Sequence, residues 1–232
     1  MNTPAVSIII PVLNEADGIV QVLERLQGFR AQGTEIIVVD GGSDDDTAEC
    51  ARLLADCVTT SRRGRSLQMN TGAALASGDI LLFLHADTLL PPSALELVRA
   101  AVGNGGCWGR FDVNIKGAIR GLGMVAYMMN WRSRLTGIAT GDQAIFVTRE
   151  AFRRVGGFPE IALMEDIVLS RELRARAWPA CFSDRVTTSG RRWERNGVLR
   201  TILTMWRLRL RFHFGASPAD LAREYGQVSD ER

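Results

Sequence analysis

Lysine is nearly absent from this chain: Lys116 is the only one, and every other residue among the 28 Lys and Arg is arginine. Genomic base composition accounts for such a bias. Arginine's planar fork is also well matched to paired phosphate oxygens. With its one lysine at 116, the chain has none to serve a lysine-dependent phosphate loop after its first strand. Excess charge is scarce as well. The formal net charge of +2 is too small to argue for a nucleic-acid partner. Cysteine is limited to Cys50, Cys57, Cys107 and Cys181, with no CxxC pair, so neither a zinc site nor a disulfide framework is indicated. No apolar run approaches the length of a membrane span. No basic leader or cleavage site precedes Val6–Ile10. The expected compartment is a reducing cytoplasm.

What is present is ordinary globular composition, 46% hydrophobic and 23% charged, in a chain long enough for one substantial core. The organising stretch is Ile80–Thr88. It reads as a buried strand that ends abruptly in His85-Ala86-Asp87. In open α/β sheets ligands sit beyond the carboxyl ends of the strands, which places Asp87 to hold a hard cation and, through it, phosphate oxygens. Ala5–Leu13, Glu35–Val39 and the weaker Val58–Thr60 read as further strands, separated by helical spacing at Ile19, Val22, Leu23 and Leu26, at Ala48–Leu54, and from Arg62 to Ala76. This alternation predicts a parallel sheet covered by helices on both faces.

After Pro91-Pro92 the pattern changes. Leu95–Val102 reads as a helix, Trp108–Ile115 as an exposed alternating strand, and Gly117–Gly137 as a Gly- and Met-rich segment shaping a second-substrate site. Ala144–Val147 reads as a strand, Arg149–Val155 and Met164–Ala175 as helices, and Cys181–Ser183 and Val186–Thr188 as edge strands. We expect one domain over 1–232: about 1–90 for a nucleotide, about 91–195 for an acceptor and catalysis, and 196–232 as an amphipathic tail.

Several residues admit a chemical and a plain reading. Glu15 and Asp40 follow strands and so crowd the same sheet edge as Asp87, where acidic groups repel unless each has a partner. A nucleoside with imide and ribose donors, plus a divalent cation, would supply partners. Asp45 and Asp46 read better as a solvated turn. Arg62, Arg63 and Arg65 before a helix suit phosphate, or a solvated basic loop. Glu165-Asp166 in a first helical turn suit the helix dipole, or a base with a neighbouring carboxylate whose pKa is raised by packing. Arg191-Arg192-Trp193 reads as a lid over pyrophosphate or a basic loop.

Ser7–Glu15, Val38–Thr47, Ala73–Asp79, His85-Ala86-Asp87, Gly141-Asp142-Gln143, Gly156-Gly157-Phe158 and Glu165-Asp166, in this order, resemble the motifs of family 2 glycosyltransferases. The resemblance covers about residues 5–193. It looks closest to a bacterial subgroup of small members sharing Gly64–Asn70 and Asn130–Gly137. It implies an α/β GT-A fold: a mostly parallel, Rossmann-like central sheet flanked by helices, with a small acceptor-side sheet and C-terminal helices. It also implies an inverting, metal-dependent glycosyltransferase that moves a sugar from a nucleotide-diphosphate donor, typically a UDP-sugar, to an acceptor hydroxyl. By position, Pro11, Leu13 and Glu15 would line the nucleoside pocket and Asp40 would accept from the base. Arg65 would lie near the diphosphate and Asp87 would ligate Mg²⁺ or Mn²⁺. Asp166 would be the catalytic base, with Glu165 beside it. Arg192-Trp193 stands where processive members carry Gln-x-x-Arg-Trp. His85 replaces the first Asp of the metal motif, in a place that contacts ribose or metal, and Ser189 replaces the Gln, which argues against a processive synthase.

Two rivals remain at this level. A sugar-nucleotide pyrophosphorylase would need a Gly-rich, lysine-bearing loop where Pro11–Glu15 stands. A non-catalytic membrane-surface module would use the tail, where Leu199, Ile202, Leu203, Trp206 and Leu210 make one helical face and Arg200, Arg207 and Arg211 another. Trp206–Phe214 also alternates like a strand. Core packing, a homodimer contact or peripheral attachment to the inner face of a membrane are the uses open to this tail. The last would make the acceptor a lipid or lipid-linked sugar.

Overall fold

A computed structural model describes residues 5–230, with side chains to 226; residues 1–4 and 231–232 of the expected domain lie outside the described residues. The first part alternates as expected: β1 (Val6–Val12), α1 (Ala16–Arg30), β2 (Glu35–Asp40), α2 (Thr47–Ala51), β3 (Cys57–Thr60), α3 (Arg65–Leu75) and β4 (Ile80–Phe83). Then come β5 (Thr88–Leu89), α4 (Ala94–Gly103), β6 (Trp108–Lys116), α5 (Leu122–Thr136), a 3₁₀ turn at Gly141–Gln143, β7 (Phe146–Thr148), α6 (Arg149–Arg154), α7 (Glu165–Arg174) and β8 (Ala180–Ser189). Three helices close the chain: α8 (Arg191–Asn196), α9 (Val198–His213) and α10 (Pro218–Asp230).

All eight strands join one sheet in the order β3-β2-β1-β4-β7-β6-β8-β5. β3, β2, β1 and β4 run parallel. β7 is antiparallel to both β4 and β6, and β8 runs parallel to β6. Successive side chains of β1 therefore feed opposite faces. Ile8 and Ile10 join α1, α4 and α5 in one core, and Ile9 joins α3, α6 and α7 in the other. Each buried Ile or Leu of this kind contributes about 1.5–3 kcal/mol. Gly72 lets α3 lie directly on β1, since a Cβ there would overlap Ile9 Cγ2.

The later half departs from the sequence reading in three places. The acceptor-side strands continue the central sheet rather than forming a second one. Trp108–Ile115 is buried along nearly its whole length, because its polar members Arg110 and Asp112 pair with each other inside the protein, with Arg134 adding a second bridge to Asp112 at 2.9 Å. The two expected edge strands are one strand, β8, with an irregularity opposite Phe111 and Asp112, and it pairs along β6. The tail is helical, as the resemblance implies: α9 packs Leu208 inward with Met164 and Leu221, and the strand that the alternation of Trp206–Phe214 also allowed does not form.

Candidate active site

Parallel strands bring their carboxyl ends to one edge, so the loops after β1, β2 and β4 meet there. The first two are laced together. Asn14 Oδ1 accepts from the Asp44 N–H at 2.9 Å, and the N–H groups of Asn14 and Glu15 donate to Ser43 Oγ at 2.9 Å and Thr47 Oγ1 at 2.8 Å. Asp40 is buried at the end of β2, its carboxylate accepting from the N–H groups of Gly42 at 3.2 Å and Ser43 at 3.0 Å and from the Ser43 hydroxyl. Asp45 belongs to the same lacing, accepting from Ala16 and Thr47. Pro11 and Leu13 are half-buried beside it. Glu15 meets Arg191 of α8 at 3.3 Å.

Gln68 was quoted in the sequence without a role. It fastens this edge from below: its Nε2 donates to the carbonyls of Val12 at 2.7 Å and Val39 at 2.9 Å. Asn70, two residues on, holds the Phe158 carbonyl at 2.8 Å and the Phe158 N–H at 3.0 Å, and so ties α3 to the Gly156–Phe158 turn.

Asp87 stands beyond β4. Among the described residues its carboxylate accepts two long bonds, from the hydroxyls of Thr88 at 3.3 Å and Thr188 at 3.4 Å, and so retains acceptor capacity. His85 points elsewhere: its Nδ1 lies 3.2 Å from Asp142 Oδ1. Its Nε2 is buried without a hydrogen-bond partner, pressed on Gly141, where a Cβ would overlap it. Asp142 is thus a site residue whose role the sequence did not reveal. Burial alone would raise its pKa, yet the His85 hydrogen bond and charge, with Arg192 and Arg65, hold it down at about 2. Among the described residues no three His, Cys, Asp or Glu side chains converge as a ready-made metal cage.

One cavity is lined by Arg65, Phe83, His85, Gly141, Glu165 and Asp166, among others. It brings the end of β4, the start of α3 and the start of α7 to one place. Asp166 accepts from the Gly141 N–H at 3.0 Å and its neighbour Ile167 at 2.7 Å. Burial still pushes its carboxyl above the ordinary value, against those bonds and the charge of Arg65. Glu165 is buried, with Arg65 at 3.7 Å; burial, then Asp166, push it upward too. Met164 and Ala144, which adjoin these groups in sequence, hold left-handed backbone with φ of 72° and 47°. Such conformations cost about 1–3 kcal/mol each in non-glycine residues and gather at working sites.

Cations close the far side. Arg65 and Arg192 both act electrostatically on Asp142, and Arg192 lies over the Tyr225 ring, 5.0 Å from its centroid. Trp193 leans on the main core instead. Arg132 of α5 has Nε and Nη2 buried without hydrogen-bond partners; burial lowers its pKa against the pull of Asp166. The sequence reading passed over Gln68, Asn70, Arg132 and Tyr225. The shared signal for the first three was their place in Gly64–Asn70 and Asn130–Gly137; Tyr225 had none.

A family model described as Glycosyl transferase family 2 matches residues 7–150. An uncharacterized glycosyltransferase of Mycobacterium tuberculosis is 32% identical over 168 residues, 68% of this chain and 63% of that protein; the chain thus spans less than two thirds of that relative. A PGL/p-HBAD biosynthesis glycosyltransferase of the same organism is 35% identical over 111 residues, 44% of this chain and 43% of its own. Among solved structures, the mannosyltransferase PcManGT from Pyrobaculum calidifontis, in complex with GDP-Man and Mn²⁺, superposes with a TM-score of 0.64 at 19% identity, over 98% of this chain and 70% of that one. S. aureus TarS 1-349 in complex with UDP-GlcNAc gives 0.64 at 18%, over 80% and 58%.

Proposed function

Because the chain belongs to glycosyl transferase family 2 and has the GT-A fold, we propose that it is an inverting transferase that moves a sugar from a nucleotide-diphosphate donor to an acceptor hydroxyl. The observation that carries this reading is the convergence of Asp166, Glu165 and Arg65 in one cavity beside the strand that ends in His85 and Asp87. Asp166 takes the proton of the acceptor hydroxyl, which attacks the anomeric carbon from the face opposite the leaving diphosphate. Two N–H bonds fix its carboxylate, so its orientation is set before the acceptor arrives.

The nucleoside lies over Pro11, Leu13, Glu15 and Asp40, and Arg65 and Arg192 draw the diphosphate between them. Asp87 suits a hard cation such as Mg²⁺ or Mn²⁺, since among the described residues its partners are two distant hydroxyls; further oxygen ligands would come from the donor phosphates. When bound, such a cation offsets charge developing on the leaving diphosphate. His85 acts by position: it backs Gly141 and holds Asp142, and Gly141 in turn holds Asp166.

Asp166→Asn tests the base. We expect kcat to fall by roughly 10²–10⁴, with calorimetric nucleotide binding intact. The wild-type acid limb of kcat/KM should lie above the ordinary aspartate value of 3.8, since the base works only when ionised and burial favours its proton. Near-wild-type transfer by the variant would remove Asp166 from this role. Release of pyrophosphate from a nucleoside triphosphate and a sugar phosphate would replace the whole reading with a nucleotidyltransferase. A thermal-shift screen of UDP- and GDP-sugars, with and without Mn²⁺, identifies the donor.

A further inference from the structure

Two helices of this protein are apolar on the wrong side. On α9, Thr201 and Leu208 face inward. Leu199, Leu203, Trp206 and Leu210, at steps of four, three and four residues, form a stripe on the opposite face; Leu199 is 77% exposed and Trp206 59%. On α5, Leu122, Val125 and Ala126 face inward. Met124, Tyr127, Met128, Trp131 and Leu135 form a second outward stripe, with Trp131 49% and Leu135 65% exposed. Neither stripe is needed by the core. Both helices pack on the same core, α5 through Leu122, Val125 and Ala126 and α9 through Val198 and Ile202. Both border the site: Arg132 feels Asp166 and Asp142, and Leu208 packs with Met164.

We infer that α5 and α9 seat the protein on the surface of an anionic lipid bilayer. Charge selects this occupant. Within α9 four arginines, Arg200, Arg207, Arg209 and Arg211, stand with no acidic residue. Arg200, Arg207 and Arg211 flank the α9 stripe on one side, and the latter two share Glu224. A second copy brought face to face across a two-fold axis would set this arginine excess against itself, whereas lipid phosphates complement it. Tyr127, Trp131 and Trp206 carry the amphipathic rings that favour a membrane–water boundary. Among the described residues no helix is long and apolar enough to cross a membrane, so these helices lie along the interface. The seat does not depend on the transferase reading, because binding alone reports it.

The test is co-sedimentation of the full chain with phosphatidylcholine vesicles and with vesicles of phosphatidylcholine mixed with phosphatidylglycerol. We expect binding to the mixed vesicles about tenfold or more tighter than to neutral ones. It should fall at least about tenfold in Trp206→Ser/Leu210→Ser and again in Trp131→Ser/Leu135→Ser, with unchanged circular dichroism and thermal unfolding. If a double variant unfolds, Trp206→Ser and Trp131→Ser alone carry the test. Absence of binding to anionic vesicles overturns the inference, as does binding indifferent to both stripes. A dimer in sedimentation equilibrium that these substitutions dissolve, without vesicle binding, would assign the face to self-association instead. None of these failures touches the proposed chemistry, since only vesicles and hydrodynamics are read.

Discussion

The two halves of the cleft are finished to different degrees. On the nucleotide side nearly every buried polar group is paired: Asp40 with its own loop, Asn14 with Asp44, Gln68 with the ends of β1 and β2. On the acceptor side the protein leaves groups unsatisfied. His85 Nε2 and two nitrogens of Arg132 lack partners, and Glu165 and Asp166 sit side by side with their carboxyls pushed up by burial. A buried polar group without a partner costs about 1–3 kcal/mol. On the function proposed above, the difference teaches that polar groups are fully paired where the nucleotide would be held and left unpaired where the reaction would take place.

Substitutions on each side should therefore separate stability from catalysis. The largest effect, the loss on Asp166→Asn, falls on the acceptor side. Next is Gly141→Ala: its added methyl meets His85 Nε2, an overpacking cost of about 1–3 kcal/mol that should displace the N–H holding Asp166 and lower kcat more than it raises KM. Adding His85→Ala should restore part of that kcat, giving non-additivity in a double-mutant cycle; strict additivity would separate the two residues. Gln68→Ala, on the proposed nucleotide side, should do the reverse, lowering stability in urea titration by about 1–3 kcal/mol through the loss of its two hydrogen bonds to the carbonyls of Val12 and Val39, with kcat changed little. The smallest expected effect is that of Arg132→Met. Removing a buried, poorly paired cation should leave the unfolding midpoint equal or slightly higher, while kcat falls because Asp166 loses a nearby positive charge. A clear drop in stability would place Arg132 with the well-paired groups.

How much could be read beforehand follows the same division. The proposed nucleotide half was legible because its central parallel strands carry short apolar runs, Ile8–Ile10, Ile36–Val39 and Ile80–Leu84, which admit little else. The acceptor half hid its pattern in ion pairs. Alternation along Trp108–Ile115 signalled an exposed strand, but Arg110 and Asp112 neutralise each other inside, so polarity no longer marked solvent. In the tail, arginines at 207, 209 and 211 fit a period of two, while Leu208 and Leu221 follow the packing of helices. The outward stripe of α5 is not read because Gly117–Gly137 reads only as Gly- and Met-rich; Gly121 and Gly137 in fact bound the helix. Asp142 was quoted as part of a motif, but its importance lies in His85, a contact across the fold that no spacing announces.

Asn70 grips both the amide and the carbonyl of Phe158, and this fixes what can travel. The helix bearing Arg65 and the turn before α7 must shift together or not at all, so any opening of the cleft has to be hinged elsewhere.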